Sequence, residues 1–137
     1  MKSLRAISAG FIFIIVSFFV LQLVYMVMAT FYNDFSKDYP FLIEISLLLK
    51  TLVVVPSFLA VMFLGGYLTG VINHRKVLLH SFIVGLLASG AMMWATLDSS
   101  ELSTRGLLIN GAMLIATIAG GYFRKRKLST YDDYVAG

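Results

Sequence analysis

The stretch KTLVVVPSFLAVMFLGGYLTGVIN, Lys50 to Asn73, opens on one cation and then carries no charge at all. As a helix rising 1.5 Å per residue it would cover about 36 Å, enough for a hydrocarbon core of about 30 Å. Three further stretches share its character: Ala6 to Thr30, Val77 to Leu97 and Gly106 to Phe123. None shows the ten-residue alternation of a membrane β-barrel. Because lipid offers the backbone no hydrogen-bond partners, helices remain. The fold class expected is all-α, an integral membrane bundle of four transmembrane helices in a single domain. Its spans lie at about 6–30, 50–73, 77–97 and 106–123, with a short polar tail over 124–137 that is expected to be mobile past the basic run.

Composition agrees with lipid as the solvent. The 137 residues are 59% hydrophobic and 13% charged, with a mean hydropathy of +0.88, where soluble domains run at roughly 45–50% apolar and 25% charged. A water-soluble domain of this size could not bury so much apolar surface. The chain has no cysteine, which excludes disulfides, thiolate metal sites and cysteine nucleophiles.

The net charge of +4 reflects threading and makes no case for nucleic acid. With the N-terminus inside, Lys2, Arg5, Arg75, Lys76 and the run Arg124, Lys125, Arg126, Lys127 fall on one side, eight of the 11 Lys and Arg. The other side keeps Lys37, Lys50 and Arg105 beside Asp34, Asp38, Glu44, Asp98 and Glu101. By the positive-inside rule both termini are cytoplasmic. Val27 and Ala29 could serve as signal-peptidase positions. The apolar run is longer than the roughly 7–15 residues of a signal peptide, so an uncleaved first span is expected.

Phe31 to Leu49 is the longest connection, and its Phe35, Tyr39, Phe41, Leu42 and Ile43 suggest a segment hugging the outer surface. Pro40 suits the first turn of an interfacial helix, and Lys50 marks the outer edge of the second span. Pro56, inside that span, should kink it. The links Asn73 to Lys76 and Asp98 to Arg105 are short enough to make their helices antiparallel neighbours.

The second and fourth spans echo each other. Gly65-Gly66-Tyr67 recurs as Gly120-Gly121-Tyr122, with Lys50 and Arg105, Leu52 and Leu107, and Leu59 and Leu114 matching at the same offset of 55. A duplicated hairpin, two plus two, would explain this; so would chance sharing of Leu and Gly between apolar spans.

Small residues nominate packing faces: Gly65, Gly66 and Gly70 in the second span, Ser81, Gly85 and Ser89 in the third, and Ala112, Ala116, Gly120 and Gly121 in the fourth. In lipid, close backbone approach and van der Waals contact drive helix association. Counting outward from the Asn73 to Lys76 turn sets Gly65 level with Gly85, and Gly70 level with His80. A tight second-third hairpin is expected, with a homodimer seam at Gly66 and Gly70 as the other use of that G-x-x-x-G pair.

Chemistry in the membrane is sparsely marked. No Asp or Glu lies inside the four spans, which argues against proton-coupled transport. Gln22, Ser57, Ser89, Asn110 and Thr117 are the deep polar residues; Gln22 and Asn110 are expected to bond between helices, with a pore lining as the other role. His80 sits about one turn inside its helix, either bonded at the interface or contacting a ligand. His74 and His80, six apart, miss the spacing that puts two metal ligands on one helical face. Catalytic templates such as H-E-x-x-H, G-x-S-x-G and the phosphate loop are absent from the sequence. No enzyme, cofactor or metal is expected. Arg124, Lys125, Arg126 and Lys127 serve as a charge stop or contact anionic lipid headgroups.

The run Gly65-Gly66-Tyr67-x-x-Gly70, followed by Arg75, Leu79-His80 and Gly85-Leu86-Leu87, resembles a pattern in small, uncharacterised four-span bacterial membrane proteins. The resemblance implies a location in the bacterial inner membrane and no reaction. Four-span fluoride channels and small multidrug transporters are poor matches, lacking here the Asn and Phe signatures of the former and the buried carboxylate of the latter. The expected function is a non-enzymatic accessory or packing subunit that uses its small-residue faces to join the same chain or a larger membrane partner. A small oligomeric channel or transporter with a path past Gln22, Asn110 and Thr117 is the alternative.

Overall fold

A computed structural model describes residues 2–39, 41–74, 76–97 and 104–136. Four helices account for all of them but Tyr39, Asn73, His74 and Lys76: α1 (Lys2–Asp38), α2 (Phe41–Ile72), α3 (Val77–Leu97) and α4 (Thr104–Ala136). Each contains a segment long and apolar enough to cross a membrane, so the chain is a multi-pass, all-helical membrane protein. The up-down order gathers both ends of the chain and the α2–α3 turn at one end of the bundle, the end that carries Arg5, Lys76 and Arg124 to Lys127. We call it the basic end.

Three helices are longer than the hydropathy pattern implies. The connection expected between the first two spans is itself helical: α1 has 37 residues, and the helix expected after Pro40 begins at Phe41 and is continuous with the second span in the 32 residues of α2. Nothing between Thr30 and Tyr39 breaks a helix. Thr30 Oγ1 donates to Met26 O at 3.0 Å, and Lys37 pairs with Asp34 at 3.1 Å one turn earlier. The stop comes only at Pro40, since a proline disfavours helical backbone in the residue before it; Pro40 itself lies outside the described residues. α4 likewise runs on to Ala136, through the residues expected to form the polar tail. Phe123 to Ala136 contains neither Gly nor Pro, so the basic run ends the span without ending the helix. α2 passes unbroken through Pro56, whose side is exposed.

A small core draws on every helix: Ile14 from α1, Met62 from α2, Val84 and Ala88 from α3, and Met113 from α4. α2 and α4 run in the same direction and form the most extensive helix pair, while α1 packs on α2 and α3 and, among the described residues, does not touch α4. Glycine explains the α2–α4 pairing. A Cβ built on Gly66 would strike the carbonyl oxygen of Thr117, and one on Gly120 would strike that of Phe63 and stand 3.0 Å from Tyr67 N. These obstacles are backbone atoms and cannot rotate away. Phe63 and Phe123 extend the contact, with ring centroids 6.2 Å apart.

The α2–α3 hairpin is set by a tight turn. Lys76 takes a left-handed φ of 54°, and α3 begins at the next residue. Ser81 Oγ donates to Gly66 O at 3.1 Å, and Val77 fills the niche at Gly70, 2.7 Å from a Cβ built there. Gly70 is therefore met by Val77, nearly a turn short of the expected His80. Gly85 is also reassigned. It faces α4, at Leu114 and Thr117, instead of lying against α2.

The Gly-Gly echo has a mixed outcome. Gly65 faces α1 at Ile14 while Gly66 faces α4; Gly120 faces α2 while Gly121 faces α3 at Ser81. The two pairs divide their work in opposite order, so an offset of 55 does not superpose equivalent environments. One glycine of each pair, Gly66 and Gly120, serves the shared α2–α4 crossing.

A ranking of glycine variants follows. Gly66→Ala and Gly120→Ala should each destabilise by the upper part of the ~1–3 kcal/mol typical of overpacking, because backbone must move. Gly85→Ala should cost less, since its neighbours at 3.0 and 3.1 Å are side-chain atoms, and Gly111→Ala should be neutral or mildly stabilising because nothing lies within 4 Å. Thermal unfolding in one detergent gives the order; equal losses at Gly66 and Gly111 would contradict it.

Candidate functional site

The small-residue stripe on α1 is confined to its first half. Ala6, Gly10 and Ile14 recur every fourth position and are all buried. A Cβ on Gly10 would strike Thr69 Oγ1, and one on Gly65 would strike Ile14 Cγ1. α1 and α2 are thus drawn together near the basic end, where Asn73 Nδ2 also donates to Ser3 Oγ at 3.2 Å. Beyond Ile14 the facing residues are large. Phe18 and Phe58 stack with centroids 4.8 Å apart and planes 43° apart, and past them α1 leaves the bundle. Leu23 to Phe31 is exposed throughout.

This divergence opens a groove of about 860 Å³ between α1, α2 and α3. Its floor is Ile14, Phe18, Phe58 and Ala88, and its mouth is edged by Gln22, Tyr25, Met28, Val53 and Ser57. The walls are apolar with few polar groups, the usual character of a binding cleft. Ser57 Oγ is committed to Val53 O at 2.7 Å. Gln22 is exposed at the groove and receives no bond from a neighbouring helix among the described residues. The expected interhelical bond of Gln22 is therefore not formed among the described residues.

The remaining deep polar side chains mostly satisfy themselves. Thr69 Oγ1 donates to Gly65 O at 2.8 Å, Thr117 Oγ1 to Met113 O at 2.9 Å and Asn110 Nδ2 to Gly106 O at 2.9 Å. Each returns to its own helix one turn back, which removes a donor from hydrocarbon without help from a neighbour. Asn110 is accordingly not an interhelical link, and its Oδ1 is buried without a partner, as is Ser89 Oγ. Thr117 is sealed between Gly66 and Gly85. Gln22, Asn110 and Thr117 do not come together within one chain, because α1 and α4 are apart.

His80 is 5% exposed, with Nδ1 buried and unbonded; His74 is exposed, its Nδ1 3.3 Å from Gly70 O. No trio of His, Asp or Glu able to hold a metal ion converges among the described residues. Of the basic run, Lys125, Arg126 and Lys127 are exposed, whereas Arg124 is half-buried, its guanidinium carbon 5.7 Å from the Tyr67 ring centroid. Gly65, Gly66, Gly70, Ser81, Gly85, Gly120 and Gly121 all pack within the chain, so the homodimer seam read from Gly66 and Gly70 is already filled. Gly10, Thr69 and the Phe18–Phe58 stack went unread in the sequence. The Ala6, Gly10, Ile14 spacing was the available signal for the first of these.

Two substitutions separate bonded from orphaned polar groups. Ser81→Ala should destabilise by about 0.6 kcal/mol, the average for an interhelical hydrogen bond in a membrane protein. Asn110→Leu should be neutral or stabilising, since it removes an unsatisfied buried acceptor. Chemical unfolding in mixed micelles measures both, and a larger loss for Asn110→Leu would refute the assignment. No family model, curated protein or solved structure matches the chain.

Proposed function

We propose that this protein is a non-enzymatic accessory subunit of the bacterial inner membrane, with both termini cytoplasmic, that receives a transmembrane helix of a larger membrane protein in the α1–α2–α3 groove. The location follows from the basic end, by the positive-inside rule, and from the resemblance to small four-span bacterial membrane proteins. The observation that carries the reading is Gln22. Its amide lies at the mouth of the groove with apolar turns of α1 on both sides and no partner helix to bond it. A primary amide facing hydrocarbon is costly, and a polar side chain on an incoming helix relieves that cost. Ala88 and Ala91 leave the α3 wall low enough for close approach.

The small-residue faces nominated in the sequence act within the subunit and shape the groove; they are not themselves the docking surface. The alternative, an oligomeric channel or transporter, draws on the orphaned Oδ1 of Asn110. Its three polar residues are separated by the gap between α1 and α4 and by the seal around Thr117.

A photoreactive residue at Tyr25 or Met28 in native membranes should crosslink one heterologous membrane protein. The crosslink should disappear when Ala91→Trp fills the groove, and a probe at Leu108, exposed on α4, should give none. Self-crosslinks alone, together with ion flux in liposomes abolished by Asn110→Leu, would establish the channel instead.

A further inference from the structure

At the basic end one cation is built into the bundle while its neighbours are not. Arg124 closes the α4 span at the level of Gly70. A Cβ on that glycine would stand 3.1 Å from Arg124 Cγ and 3.3 Å from its Cβ, so the absence of a side chain at Gly70 is what lets the arginine stem lie against α2. The guanidinium then reaches the Tyr67 ring, its carbon 5.7 Å from the centroid. Nε is turned inward, buried and unbonded, and no described carboxylate pairs with the group.

A half-buried guanidinium without a counter-ion is an unfavourable arrangement. Stacking on Tyr67 offsets part of this and fixes the plane of the fork, and the terminal nitrogens, which are not sealed, keep their donors. The anion that matches a fixed guanidinium fork is a phosphate or a carboxylate. Two more cationic or titratable groups flank the niche. His74, exposed, is bonded through Nδ1 to Gly70 O, and Lys76, exposed, directly precedes Val77, which fills the other side of Gly70. Lys125 and Lys127 lack any such seat.

We propose that Arg124, seated on Gly70 and Tyr67, binds the phosphate of an anionic phospholipid headgroup at the basic face of the membrane. The lipid is favoured over a soluble phosphate because Arg124 lies within the apolar span Gly106–Leu128, its stem against Gly70 of the span Leu52–Ile72, with Nε buried. The site does not depend on the groove at the other end of α1.

Native mass spectrometry of the full chain, released from nanodiscs of equal phosphatidylcholine and phosphatidylglycerol, tests this. Wild type should retain phosphatidylglycerol selectively. Arg124→Gln should lower that retention at least fivefold, and Arg124→Lys, which keeps the charge and loses the planar fork and stack, about threefold. The double variant Lys125→Gln with Lys127→Gln should retain it as wild type does, and added inorganic phosphate should not displace it. Thermal unfolding in neutral detergent checks each variant's fold; if Arg124→Gln fails that check, Arg124→Lys carries the test. Unchanged retention in Arg124→Lys, equal loss in the double lysine variant, or displacement by inorganic phosphate would each overturn the proposal.

Discussion

Everything else in this fold depends on α2 and α4 meeting backbone to backbone. Lipid gives apolar helices little reason to associate, so the bundle relies on close approach, and close approach requires positions where a Cβ would collide. Gly66 against the Thr117 carbonyl and Gly120 against the Phe63 carbonyl are those positions. From this contact the third helix takes its place. Ser81 bonds the carbonyl of Gly66 and packs on Gly121, while Gly85 admits Thr117. Three helices therefore converge on a few small residues, about two turns from the basic end.

α1 joins by a different and shorter contact, Gly10 on Thr69 and Ile14 on Gly65. Its buried positions end there. The large aromatic pair that follows holds α1 off α2, and the result is an open groove instead of a fourth closed seam. The uneven distribution of small residues along α1 thus produces both the tight basic half of the molecule and the unfilled opposite half. The unpaired amide of Gln22 at that groove is a consequence of the same splaying.

Much of this was legible in the sequence, and the gaps have physical causes. The four spans, their antiparallel neighbours and the glycines of α2, α3 and α4 follow from apolar run length and small-residue spacing. Which glycine faces which helix was less accessible, because a helix surrounded by lipid is apolar on every side and hydropathy gives no preferred face. Gly85 was set against α2 for that reason, and Gly10 was passed over. Helix ends were misplaced by a related effect. Asn33, Asp34 and Lys37 mark where hydrocarbon stops, and Arg124 to Lys127 do the same for α4, yet none of these residues interrupts a helix. Among the described residues α1 ends at Asp38, just before the non-helical Tyr39. The Gly-Gly-Tyr echo located the central contact correctly while suggesting an equivalence of two hairpins that the opposite use of Gly65 and Gly120 does not support.

A double-mutant cycle at Gly66 and Gly120 tests the central contact most directly. If both glycines hold one crossing, the first alanine opens it and the second meets space already made. The stability lost by Gly66→Ala combined with Gly120→Ala, read by unfolding in a single detergent, should then fall well short of the two single losses added together. Strict additivity, or a loss indistinguishable from that at the open position Gly111, would contradict a shared backbone contact between α2 and α4.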